Sequence, residues 1–147
     1  MTTRVGHLAR RWWTSLSRSP VAPADLEWVR SVLLDGEFEL WTRMSLVDRR
    51  HSLVVTRRFL AAEPLVQRTE IAAALLHDVG KTVSELGTTA RVIATLIGPR
   101  GQRFADYHRH EALGAELLSS CGSDARTIAL VRGEGPYAPA LAAADDV

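Results

Sequence analysis

Apolar residues along this chain return at intervals of three and four, and no run of four to eight residues alternates between apolar and polar with hairpin signals at its ends. A chain patterned in this way has helices to pack and no strand edges to pair, so the expected fold class is all-α. Proline and glycine divide the pattern. Pro23 can open a helix that Gly36 ends, Pro64 separates two helices, and Gly80 fits a helix C-terminus. Residues 98–101 read as a turn, Ser123 can cap the helix after Gly122, and Pro139 can start the last helix. The spacing predicts helices near 24–35, 37–45, 48–62, 68–79, 88–97, 104–120, 124–132 and 139–146.

The 147 residues fit one domain, long enough to bury most of its apolar surface without covalent staples. Residues 1–22 differ in composition from the domain expected over 23–147. In that N-terminal segment Val5, Leu8, Trp12 and Leu16 share a helical face, with Arg4, Arg11 and Arg18 placed elsewhere. A helix packed on the domain is the ordinary reading, and a membrane-surface or partner helix the sharper one.

Basic and acidic residues number 18 and 17, so composition makes no strong case for a nucleic-acid or membrane partner. No segment approaches the roughly 20 apolar residues of a membrane span, and no apolar run near the N-terminus suits a signal peptide. Cys121 is the only cysteine, which rules out an internal disulfide and any zinc cluster built on cysteines. These features lead to the expectation of a cytoplasmic protein, with its oligomeric state left open. Trp28 and Trp41 read as core residues.

The stretch "ALLHDVGKT" puts His77 and Asp78 where a buried helix runs out, three residues before Lys81, the only lysine in the chain. Two metal-capable side chains at such a point prompt a search for further ligands. His51 lies in "DRRHSLVVTRRFL" on a face with Val54, Val55 and Arg58, where a satisfied core histidine is the ordinary reading. In "FADYHRHEALGAELLSS", His110 continues the stripe of Leu113, Gly114, Leu117 and Cys121, while His108 falls nearer Glu111 and Ala115 and reads as solvated. In "PALAAADDV", Asp145 shares a face with Leu141 and Ala144, and Asp146 turns away. By themselves two acids there read as a solvated helix end.

Taken in order, His51, the pair His77-Asp78 and the distant Asp145 behind "LAAAD" resemble the HD-domain superfamily of metal-dependent phosphohydrolases. The likeness extends to "HDVGK", "HEALGAELL" and "DRRHSL" and covers about residues 45–146. It implies a compact orthogonal helical bundle in which His51, His77, Asp78 and Asp145 bind a metal and His110 lines the pocket or helps with a second metal. Two-metal members carry a further histidine where this chain reads "LVRGEGPY" and offers Glu134, so one metal is expected. The last ligand also falls on a short helix near the C-terminus.

Two imidazoles and two carboxylates suit Mn, Fe, Co, Ni or Zn better than Mg alone. Such an ion lowers the pKa of a bound water towards about 7, which makes a metal-bound hydroxide available for attack on a phosphoryl group. In that scheme Asp78 orients the water, and Lys81 either reaches a substrate phosphate or stabilises a helix C-terminus. Arg50, Arg109 and Arg132 flank the motif segments and read first as solvated surface. The expected function is hydrolysis of a phosphomonoester or phosphodiester, of a nucleotide-like small molecule. The alternative is a non-catalytic metal-binding regulatory or interaction module on the same bundle. No GxSxG elbow, glycine-rich phosphate loop or Cys-His pair offers a rival catalytic template.

Overall fold

The C-terminal part of the helix Arg68–Leu76 is buried on every side, because Ala72, Ala73, Ala74, Leu75 and Leu76 all have no exposed surface. A helical stretch that is apolar all round belongs in the middle of a bundle, and the other helices are arranged about it. In this computed structural model, residues 19–81 and 102–146 are described, with residues 102–109 described by backbone alone. The described helices are α1 (Pro23–Val32), α2 (Asp35–Arg43), α3 (Leu46–Ala62), α4 (Arg68–Leu76), α5 (Gln102–Ser120), α6 (Ala125–Val131) and α7 (Ala138–Asp145). Among the described residues there is no strand, so the chain is an all-α bundle. The helix expected over 88–97 and nearly all of the N-terminal segment lie outside the described residues.

Helix α4 packs against α1, α2, α3 and α6, while α3 carries α7 on its other side and α5 packs on α6. The small side chains of Ala72, Ala73 and Ala74 let several helices approach one axis. Trp41, Phe59, Leu75, Leu76 and Leu118 then fill the spaces between them. Trp41 is wholly buried, as expected, and its indole Nε1 donates to Ser52 Oγ at 3.0 Å. Trp28 is partly buried against the same core.

One buried carboxylate ties three segments together. Glu37 has no exposed surface, yet its oxygens accept from Leu34 N–H at 2.9 Å, from Arg68 Nη1 at 3.0 Å and from Ser123 Oγ. Such a charge is tolerated in a core only when hydrogen bonds satisfy it in this way.

Two glycine and cap assignments change. Helix α1 ends at Val32, and Gly36 lies in the first turn of α2. A Cβ there would meet the carbonyl oxygen of Cys121 at 2.8 Å, so this glycine serves a close packing contact and not a helix end. Ser123 does not cap α6. Asp124 holds the cap position, and the Ser123 hydroxyl is spent on Glu37. Gly122, at φ +79°, does end α5, with Ser123 N–H returning to Leu118 C=O at 3.0 Å. No helix among the described residues is long and apolar enough to cross a membrane.

Candidate metal centre

Three elements of the bundle converge on one point. Helix α3 starts firmly, because the Ser45 hydroxyl accepts from Asp48 N–H at 3.1 Å. Its inner face buries Ser52, Leu53, Val55, Thr56 and Phe59. His51, at the edge of that face, leaves only 10% of its side chain exposed. Helix α7 has just eight residues, but Leu141 and Ala144 are buried, and Arg58 of α3 donates to the carbonyl of Ala144 at 3.4 Å. A cation on the last carbonyls steadies a helix end that would otherwise fray. That contact fixes Asp145.

The third element is the turn that ends α4. Val79 N–H donates to Leu76 C=O and Lys81 N–H to Asp78 C=O, each at 3.0 Å, so the chain tightens into short turns immediately after Leu76. Gly80 is required there. A Cβ on it would lie 1.9 Å from the backbone oxygen of His110 in α5, which is closer than any atom pair tolerates. The turn is thus pressed onto α5, and His77 and Asp78 are presented together at its start.

One nitrogen of His51, one of His77 and a carboxylate oxygen of Asp145 lie within 4.8 Å of one another. His51 Nε2 and Asp145 Oδ1 are 2.7 Å apart, and His77 Nε2 is 3.3 Å from the same oxygen. With metal–nitrogen and metal–oxygen bonds of about 2.0–2.2 Å, two ligand atoms on one ion are at most about 4.4 Å apart, so small adjustments would close this group on a cation.

The state of His77 tests whether a cation fits. Its Nδ1 is 2.8 Å from the carbonyl oxygen of Ala74, which can only accept, so Nδ1 carries the proton. In the neutral ring Nε2 therefore presents a lone pair. This atom is buried without an aligned hydrogen bond, although Asp145 is 3.3 Å and Asp78 3.5 Å away. A lone pair facing two carboxylates is repulsive unless a proton or a metal ion stands between them. The donor set, two imidazoles and a carboxylate, is one that divalent transition metals accept.

Proton affinities follow the same geometry. Burial alone would lower the His77 pKa, but the contact with Asp145, the charge of Asp78 and the bond to Ala74 together raise it above the usual 6.5. Asp145 is held far below the usual carboxylate range by its hydrogen bond to His51 and the close approach of His77, against a smaller opposing effect of burial. Wherever His77 is protonated, a metal must displace that proton from Nε2. Asp145 is already ionised across the neutral range. Metal affinity is expected to rise with pH through and beyond 6.5, by up to one tenfold step per pH unit while His77 still carries its proton. Titrations with Zn at pH 6, 7 and 8 check this. An affinity independent of pH would contradict it.

Asp78 stands beside this group and not in it. Its Oδ2 is 3.5 Å from His77 Nε2 and 3.9 Å from His51 Nε2, and it accepts from Lys81 Nζ at 2.7 Å. His77, Asp78, Lys81, His110, Glu111 and Asp145 line one cavity of about 260 Å³. His110 thus faces the site region, with Nδ1 buried and no hydrogen-bond partner among the described residues.

Glu111 and Asp146 also line the cavity, and neither was expected there. Ala115 is completely buried along with Leu113, Gly114 and Leu118, so the inner face of α5 is wider than a stripe through Leu117. Glu111 lies one turn before Ala115, and this wider face turns it inward. The burial of Ala115 could not be read from its size alone.

Glu134 is exposed and lies in a smaller depression with Glu70, Arg126 and Tyr137, away from the ligand group. Arg50 reaches the carbonyls of Ser19 and Pro20, Arg132 is exposed, and the side chains of His108 and Arg109 lie outside the described residues. Comparison with family models, curated proteins and solved structures finds no match to this chain.

Proposed function

We propose that this protein is a metal-dependent phosphohydrolase of the HD-domain type, acting on a phosphomonoester or phosphodiester of a small, nucleotide-like compound. The reading is supported most by the convergence of His51, His77 and Asp145 from three separate helical segments beside a cavity, with the His77 ring held so that Nε2 is a ligand. His51, His77 and Asp145 would hold the ion. A bound divalent ion of the Mn, Fe, Co, Ni or Zn kind supplies Lewis acidity towards a phosphoryl oxygen and acidifies water at neutral pH.

The remaining work belongs to side chains in the cavity. Lys81 carries a positive charge there, with 43% of its side chain exposed, and can meet a phosphate oxygen. The Asp78 carboxylate, which accepts from Lys81 at 2.7 Å, takes the proton of the attacking water as the new oxygen–phosphorus bond forms. The ester bond to the leaving group breaks, and the proton held by Asp78 passes to the departing oxygen, with His110 lining the same cavity. A cavity of about 260 Å³ is at the small end for ligand sites, in keeping with a compact phosphorylated substrate.

Elemental mass spectrometry of the purified protein beside His51→Ala, followed by phosphomonoester and phosphodiester assays with added Mn, tests this reading. About one metal per chain is expected, with metal and hydrolysis lost together in the variant. A folded wild-type protein that takes up no metal overturns the proposal. Metal without turnover of either ester class would favour the non-catalytic module.

A further inference from the structure

The cavity beside the metal centre carries more acid than the hydrolytic scheme uses. Glu111 lines it from α5 and Asp146 from the C-terminal end of α7, and neither has a part in holding the ion or moving a proton there. A phosphoryl group cannot be what they recognise. Its oxygens are acceptors, and a carboxylate facing them is repelled. The phosphoryl end of a substrate therefore belongs beside Lys81 and the imidazoles, which leaves the acidic wall to whatever is esterified to it.

Glu111 is the better placed of the two acids. It is half-buried, whereas Asp146 is exposed, and it lies on the face of α5 that carries the buried Ala115. Its two carboxylate oxygens lie 3.6 and 3.8 Å from where a Cβ on Gly133 would stand. Gly133 has φ +81° and lines the same cavity, so no side chain from the α6–α7 connection comes between Glu111 and a bound molecule. A carboxylate has about four lone-pair sites, so Glu111 can accept from a ligand in addition to any bond within the protein. The adjacent His110 makes the same wall polar, and its buried Nδ1 has no hydrogen-bond partner among the described residues.

We infer that Glu111 selects the alcohol half of the substrate, by accepting from a hydrogen-bond donor, hydroxyl or ammonium, on the group esterified to the phosphate. The inference rests on the phosphohydrolase reading above and names the substrate class within it. Glu111 acts on specificity and not on the reacting atoms. A site built to bond a donor rejects the analogue that lacks one, because its own polar group is then desolvated without a partner.

The test compares ribose 5-phosphate, phosphoethanolamine and ethyl phosphate as substrates of the Mn-loaded protein, or their methyl diesters where the wild type cleaves only diesters. The first offers hydroxyl donors, the second an ammonium and the third neither. At least one of the first two is expected to exceed ethyl phosphate in kcat/KM by about tenfold or more, the scale of one hydrogen bond to a charged group. Glu111→Ala should remove that advantage through KM, with turnover of ethyl phosphate and metal content unchanged. Glu111→Gln keeps one acceptor oxygen, so it should retain part of the advantage of a hydroxyl and lose most of that of an ammonium. An advantage that survives Glu111→Ala overturns the inference, as does an equal loss on all three esters or a wild type that does not distinguish them. If the metal-loaded wild type cleaves none of the esters, the phosphohydrolase reading itself falls.

Discussion

Asp145→Asn is expected to reduce metal affinity by at least about 100-fold, more than the 10–100-fold typical of losing an outer partner of a metal ligand. Asparagine keeps the size of the side chain and one oxygen, but it removes the charge that the two imidazoles share. His51 Nε2 is 2.7 Å and His77 Nε2 3.3 Å from the same Asp145 oxygen, so this atom is the common point of the cluster. Asp146 is not a replacement, because the next residue is turned by about 100° around the helix. Calorimetric titration with Zn or Mn checks the loss, and Asp146→Asn serves as the comparison, with a change of less than about threefold expected. Equal effects of the two changes would show that general negative charge, and not the geometry at Asp145, holds the ion.

The second large effect is on the fold. Gly80→Ala is expected to destabilise the protein by about 3 kcal/mol or more, at the upper end of overpacking costs, since the added carbon meets a backbone oxygen at 1.9 Å. Backbone cannot rotate out of the way as a side-chain tip does, so the turn after α4 and helix α5 would have to separate. For a domain of this size that corresponds to a fall in Tm on the order of 10 °C.

Gly114 provides the contrast at the other side of the contact. An added carbon there meets Val131 and Val79 methyl groups at 3.3 Å, which can yield by a few tenths of an ångström. Alanine also gains roughly 1 kcal/mol of helix propensity over glycine within α5, so Gly114→Ala should lie within about 1 kcal/mol of neutral. Thermal unfolding of both variants separates the cases. A Gly80→Ala protein with unchanged Tm would mean that the turn does not press on α5.

The site depends on the same contact. Gly80 is two residues after Asp78, and its neighbour across the interface is the backbone of His110. Displacing α5 would therefore move one wall of the cavity against the other. A Gly80→Ala variant that still folds is expected to bind metal with lower affinity, through displacement of His77 and without loss of any ligand.

Among the described residues helix locations were largely legible, because burial in a bundle imposes a period of 3.6. Their ends were less so. Glycine suits both a helix terminus and a close contact, and sequence alone does not distinguish them. Gly122 ends a helix with φ +79°, while Gly36 lies inside one and packs on Cys121. Ser123 raised the same difficulty, since a hydroxyl before a helix can cap it or serve a distant carboxylate such as Glu37.

Within the site, residue type and helical face marked His51, His77, Asp78 and Asp145 as able to ligate, but taken singly His51 read as a core residue and Asp145 as a solvated helix end. The resemblance of their order to a known family is what joined them into one expected set. Their approach to one point depended on long-range packing: Arg58 holds the end of α7, and Gly80 presses the turn after α4 onto α5. The places of Glu111 and Asp146 on the cavity wall were decided there as well. The sequence by itself determined which residues can ligate and roughly where the described helices run, because periodicity and chemistry travel with the chain. Only the tertiary structure decided that Asp145 meets the two imidazoles, because that choice rests on contacts between segments far apart in sequence.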